Sequence, residues 1–171
     1  MNTTEQRLHR LSERLNIAFR CLLPHKDVWD ICCDHGYLAT AAYKSNLFKN
    51  IYFVDQVSEI MKNLETRFNQ YAFNFDIKSK AFFLQTDASK ITTEINGTVC
   101  ILGVGGLTII HILKSLLTDE RLKAERLILS PHRDEEKVVQ FIKEFAQTYK
   151  LNSIESVLEN KKIRKLYIFD L

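Results

Sequence analysis

Acids at the ends of apolar runs are the residues of this chain best placed to do chemistry. Val28-Trp-Asp-Ile-Cys-Cys-Asp-His-Gly-Tyr-Leu38 reads as a strand buried on both faces that runs into a polar turn and then a helix starting near Tyr37. Asp30 interrupts the apolar run. A carboxylate there is costly unless the strand's carboxyl end uses it, and that end is where open α/β sheets bind ligands. Asn50-Ile-Tyr-Phe-Val-Asp55 is a second such strand, ending in an acid at about the twenty-residue separation where Asp or Glu meets ribose hydroxyls. Ala81-Phe-Phe-Leu-Gln-Thr86 is a third, with Asp87 after it. As core residues these acids would be hard to excuse; grouped around one ligand they make sense. Gly36 permits close backbone approach or a positive φ, and the helix after it offers unpaired N–H groups. The dinucleotide fingerprint would want glycines where Cys32 and Asp34 stand, so Gly36 is the one glycine this turn offers. The turn is a candidate nucleotide site.

Further glycines follow the fourth strand, Gly97-Thr-Val-Cys-Ile-Leu-Gly103. Gly103, Gly105 and Gly106 imply a sharp turn or a backbone that something approaches closely. His111, one turn into the next helix, reads as a packing or capping group. Arg126-Leu-Ile-Leu-Ser-Pro131 is the fifth strand, stopped by Pro131 and followed by His132 and Arg133.

These groups require an alternating scaffold. Leu8, Leu11, Leu15, Ala18, Phe19 and Leu22 recur at helical spacing, with Thr3 and Thr4 as N-caps and Pro24 as the stop. Residues 1–25 are thus expected to form a basic amphipathic helix. Its polar face carries Arg7, Arg10, Arg14 and Arg20 against Glu5 and Glu13, which suits either a solvated face or RNA phosphates. Helices are expected over 37–48, 58–71, 106–117 and 134–149. Residues 151–159 and 163–171 form a hairpin around Asn160-Lys-Lys162. The pattern is a mostly parallel α/β sheet of seven strands with an antiparallel last strand and helices on both faces.

A chain of 171 residues with net charge +3 reads as a single domain over 1–171, and its charge permits a polyanionic partner without requiring one. No apolar run approaches a membrane span and the N-terminus is not signal-like, so a cytoplasmic protein without a membrane partner is expected. Cys21, Cys32, Cys33 and Cys100 lack paired CxxC units and read as buried free thiols; no metal site is expected.

Asp30-Ile-Cys-Cys-Asp-His-Gly-Tyr-Leu38 resembles the Asp-Ile-Gly-Ser-Asp-His-(Ala/Gly)-Tyr-Leu-Pro signature of the bacterial tRNA (adenine-22-N1)-methyltransferase family (TrmK-like). Gly103-Val-Gly-Gly-Leu-Thr-Ile-Ile-His-Ile-Leu113 is similar to that family's Gly-Met-Gly-Gly segment, and Leu127-Ile-Leu-Ser-Pro131 to its Leu-Ile-Leu-Gln-Pro. The motifs fall in family order and spacing. The resemblance implies a Rossmann-like class I methyltransferase using S-adenosyl-L-methionine on RNA, with tRNA the expected partner, as a monomer or weak dimer.

Position by position, it implies that Asp30, Cys32, Asp34, His35 and Gly36 form the turn around the methionine part of the cofactor. Asp55, with Gln56 beside it, would hold the ribose. Asp87 would sit by the adenine N6 amino group with Thr86 and Ala88 beside the ring, and Gly103, Gly105 and Gly106 would border the reacting methyl. Asp34, His35, Tyr37, Pro131 and His132 would face the target base. Cys32 replaces the family's first glycine and Ala39 its proline, changes that bear on cofactor affinity. Ser130 and His132 replace Gln and Asn, which bears on base recognition, and the family's C-terminal helical domain is expected to be missing after Leu171. Three other readings stay open: a nicotinamide oxidoreductase, a non-catalytic RNA-binding relative, and a methyltransferase for a small molecule or another RNA.

Overall fold

The computed structural model describes residues 11–70, 77–159 and 161–171. Apolar runs become strands and amphipathic runs the helices between them: α1 (Glu13–Arg20), β1 (Val28–Ile31), α2 (Tyr37–Ser45), β2 (Asn50–Asp55), α3 (Ser58–Gln70), β3 (Lys80–Gln85), a 3-10 turn (Ala88–Lys90), β4 (Thr98–Leu102), α4 (Gly106–Thr118), β5 (Arg126–Ser130), α5 (Glu135–Phe145), β6 (Lys150–Glu159) and β7 (Lys162–Asp170). One sheet of order β3-β2-β1-β4-β5-β7-β6 holds all seven strands. Every pairing from β3 to β5 is parallel, and β7 enters antiparallel between β5 and β6.

Side-chain alternation along the strands splits the core in two. Val28, Ile51, Phe53 and Cys100 pack with α1, α2 and α3, while Trp29, Ile31, Val54, Val99 and Ile101 pack with α4 and α5. Aligned registers stack aromatic rings on both faces. Trp29 lies on Tyr52 at a centroid distance of 3.7 Å, and Phe53 lies on Phe83 at 4.6 Å. The reversed last strand is tied to its neighbour by Arg126, whose guanidinium donates to both Asp170 oxygens at 2.6 and 2.9 Å. Among the described residues no helix is long and apolar enough to cross a membrane.

Four local expectations are corrected. The first strand ends at Ile31 instead of continuing through the cysteines, because Cys32 turns the chain with φ 57. Cys21 and Cys32 are only half-buried, unlike Cys33 and Cys100. Within the described residues the N-terminal helix spans only Glu13–Arg20: Ser12 is an extended N-cap whose hydroxyl accepts from the Leu15 amide at 3.3 Å, so α1 starts at Glu13. Thr3 and Thr4, Arg7 and Arg10 lie outside the described residues. The helices expected over 37–48 and 134–149 stop early, at Ser45, where Asn46 adopts φ 54, and at Phe145.

Candidate nucleotide-binding site

Parallel strands present their carboxyl ends to one edge of the sheet, and the loops leaving five of them enclose one cavity of about 660 Å³. Asp87 and Ala88 come from the end of β3, Asp55 and Gln56 from β2, Cys32 and Asp34 from β1, Gly103 and Val104 from β4, and His132 from β5. Thr86, Leu102, Ile60, Thr108 and Ile112 complete much of the wall. Of the residues singled out above, the cavity thus brings together Cys32, Asp34, Asp55, Gln56, Thr86, Asp87, Ala88, Gly103 and His132.

The turn after β1 follows a path that glycines would adopt at no cost. Cys32, Asp34 and Gly36 all have positive φ, at 57, 48 and 63 degrees, at alternate positions of the turn where glycine would carry no strain. Aspartate tolerates this region because its short polar side chain bonds locally; cysteine has no such relief. Gly36 is held there by packing as well, since a Cβ would lie 2.8 Å from both Leu64 methyls.

Asp55 is pre-positioned. One carboxylate oxygen accepts from the Asp34 amide at 3.2 Å and the other from the Val57 amide at 3.0 Å. Each oxygen retains a lone pair for a hydroxyl donor. Asp87 caps the 3-10 turn by accepting from the Ser89 hydroxyl at 2.8 Å and its amide at 3.0 Å, and the hydroxyl bond is the largest cause holding its carboxyl below the ordinary value. The Cys32 thiol is pushed up to about 11 by burial, then by Asp55, Asp30 and Asp87, so it stays protonated and a poor nucleophile.

Asp30 is not on the cavity wall. It is 5% exposed, and it accepts from the Ala39 amide at 3.2 Å in the first turn of α2, whose N-cap Gly36 has no side chain for that task. Burial, only partly offset by that bond, raises its carboxyl to about 7. Gly105 and Gly106 do not line the cavity either. A Cβ on Gly106 would strike the carbonyls of Asp134 and Arg133, so this glycine admits the loop before α5. Pro131 is buried and is not on the cavity wall. His35 lines a neighbouring groove with Ile60, Asn63 and Arg67, and exposed Tyr37 lies beside it with ring centroids 5.5 Å apart.

Two wall residues were read otherwise from sequence. His111 is exposed and faces the cavity instead of packing inward. Arg14 leaves the solvated helix face, with a side chain 14% exposed that reaches within 3.4 Å of both His132 and Glu159. Helical spacing shows which face of α1 is apolar; it does not show that its polar shoulder closes on another loop.

The resulting cavity is polarised. Carboxylates line the end over β1 to β3, whereas Arg14 and His132 stand over β4 and β5. Its volume falls in the roughly 300–1,000 Å³ range of small-molecule and cofactor sites.

Residues 11–167 match the family described as "Methyltransferase domain". Among solved structures, the chain is similar to the Bacillus subtilis m1A22 tRNA methyltransferase TrmK, at 19% identity and TM-score 0.78, covering 95% of this chain and 67% of that one. It is similar to Mycoplasma capricolum TrmK in complex with S-adenosylhomocysteine, at 20% identity and TM-score 0.73, over 95% and 69% of the two chains. Magnesium protoporphyrin IX methyltransferase from Synechocystis, with bound S-adenosylmethionine, shares the fold at TM-score 0.66 and 13% identity, over 98% and 79%. No curated protein sequence matches the chain.

Proposed function

The chain belongs to the methyltransferase domain family, and from that premise we propose that it uses S-adenosylmethionine to methylate N1 of an adenine in tRNA, in the cytoplasm. The observation that carries this reading is the convergence of Asp55, Asp87, Asp34 and the Gly103 turn on one cavity of about 660 Å³.

The residues present fit the cofactor. Asp55, fixed by two backbone amides, would accept from ribose hydroxyls through its remaining lone pairs. Asp87, kept ionised by Ser89, would accept from the adenine amino group, with Thr86 and Ala88 against the ring. The acidic end suits a cationic ligand, and the protonated Cys32 thiol does not compete for an electrophile. When bound, S-adenosylmethionine supplies an electrophilic methyl group on a sulfonium.

The protein's remaining task is alignment. Adenine N1 has a lone pair at neutral pH and needs no general base, so holding the base in line supplies much of the catalysis. Asp34, exposed at the rim, would accept from the base amino group as positive charge spreads onto the ring. His132, His35 and Tyr37 would orient a base that must first leave its stack. The tRNA choice is supported by the motif resemblance and by the similarity to the two TrmK structures; the porphyrin enzyme shows that the fold also serves small molecules.

Calorimetry with S-adenosylhomocysteine and methyl transfer to bulk tRNA test this together. Binding that Asp55→Ala weakens by about tenfold or more, with transfer that Asp34→Ala abolishes while the fold survives, is the expected result. Absence of cofactor binding would overturn the reading, and cofactor binding without methyl uptake by tRNA would overturn its substrate.

A further inference from the structure

We propose that the mouth of the cavity, where Arg14 on α1 and Arg164 on β7 flank His132, is a phosphate subsite that grips the nucleotide to be methylated by its backbone phosphate. This rests on the methyltransferase reading of the same cavity and adds to it a second, separately testable ligand contact.

The geometry starts with the hairpin. Val157 is buried against α1, and its ladder partner is Arg164; Glu159 is paired with Lys162 two residues on. Residues two apart share a face, so Arg164, Lys162 and Glu159 all stand on the side of the sheet that α1 covers. Arg14 comes from α1 to meet them. Its Nε faces Glu159 at 3.4 Å, while both Nη atoms lie 3.7 Å from the position a Cβ on Gly103 would take, so the guanidinium fork is aimed at the cavity. Its Nη1 is 3.4 Å from His132 Nε2, and Arg164 Nη1 donates to the His132 carbonyl at 3.3 Å.

Charge and hydrogen bonding at this point are both unbalanced. Among the described residues, Arg14, Arg164 and Lys162 act on the His132 imidazole against one carboxylate, that of Glu159. Among the described residues, buried Nε atoms of Arg14 and Arg164 have no hydrogen-bond partner. The two Nη atoms of Arg14, which face the cavity beside Gly103, form the planar fork that matches phosphate oxygens. The field agrees with this sign. Burial first, then Arg164, Arg14 and Lys162, hold the His132 imidazole below its ordinary value against the opposing pull of Glu159. An anion placed here relieves that repulsion and raises the imidazole again, which makes His132 a reporter of occupancy.

The subsite lies over β4 and β5, and the ribose-binding acid Asp55 lies over β2. One cavity therefore offers an acidic end to a cationic cofactor and a basic mouth to an anionic substrate. This separates two nucleosides that would otherwise compete for one site.

The test titrates ¹⁵N-histidine-labelled protein with adenosine, AMP and inorganic phosphate, with and without S-adenosylhomocysteine, following the His132 ring by NMR. AMP is expected to shift His132 toward its protonated form and to bind about tenfold or more tighter than either adenosine or inorganic phosphate. Arg164→Gln should remove that preference, with Arg164→Lys restoring part of it and cofactor affinity unchanged within about twofold. Equal affinity for AMP and adenosine, or a His132 ring indifferent to both, overturns the proposal. Inorganic phosphate binding as tightly as AMP overturns its assignment to a nucleotide. If S-adenosylhomocysteine fails to bind yet AMP keeps its preference, the subsite stands and the methyltransferase reading falls.

Discussion

Asp30→Asn should reverse its effect on stability between pH 4 and pH 8. The carboxyl is 5% exposed, and what offsets its burial is the Ala39 amide at 3.2 Å, which leaves burial dominant and raises it from 3.8 to about 7. The sign follows from proton counts. Between those two values the folded protein holds a proton that the unfolded chain has released, so stability falls as pH rises through this window. At about 1.4 kcal/mol for each tenfold change in proton affinity, the full difference amounts to roughly 4 kcal/mol by pH 8. Asparagine keeps an acceptor for Ala39 and carries no charge, although its amide buries donors that need partners, at a cost of about 1–2 kcal/mol. The variant should therefore be less stable than the parent near pH 4 by about 1–2 kcal/mol and more stable near pH 8 by about 2 kcal/mol. Urea unfolding of both proteins across this range, read as the difference at each pH, cancels the groups they share. A difference that stays constant from pH 4 to pH 8 would refute the reasoning.

Cys32→Gly should be neutral or stabilising by up to about 1 kcal/mol because it relieves a left-handed cysteine, whereas Cys32→Val, β-branched at the same φ of 57, should cost about 2 kcal/mol; denaturant midpoints decide. Gly36→Ala puts a Cβ 2.8 Å from the Leu64 methyls at a φ of 63, and thermal unfolding should show a loss of about 2–3 kcal/mol. Asp170 is held below the ordinary carboxylate value chiefly by Arg126, so its contribution is present at neutral pH and lost as pH falls below its unfolded value near 3.8. Asp170→Asn should accordingly destabilise the protein at pH 7 by about 1–2 kcal/mol and much less at pH 3, measured by urea unfolding at the two pH values.

The alternation of strands and helices, the reversed β7, and the delivery of acids to strand ends were all legible in the chain. Apolar runs, helical spacing and turn residues are local signals, and Asn50–Asp55 is a strand with those bounds for that reason. So was the convergence of Asp55, Asp87 and Gly103, because successive parallel strands must point their carboxyl ends the same way. Other features depended on how elements pack. Asp30 lies inside its strand and is turned by side-chain alternation toward α2, while Asp55 and Asp87, at the ends of theirs, are free to face the cavity. Gly106 and Gly103 look alike in sequence, yet one makes room for the Arg133–Asp134 backbone and the other for the cavity. Arg14 and His111 sit on polar helix faces whose neighbours are chosen by the sheet's strand order, and no residue pattern within a helix encodes what lies opposite it. Local periodicity says which side of an element avoids water; only the assembled sheet decides which of the remaining polar groups share a cavity.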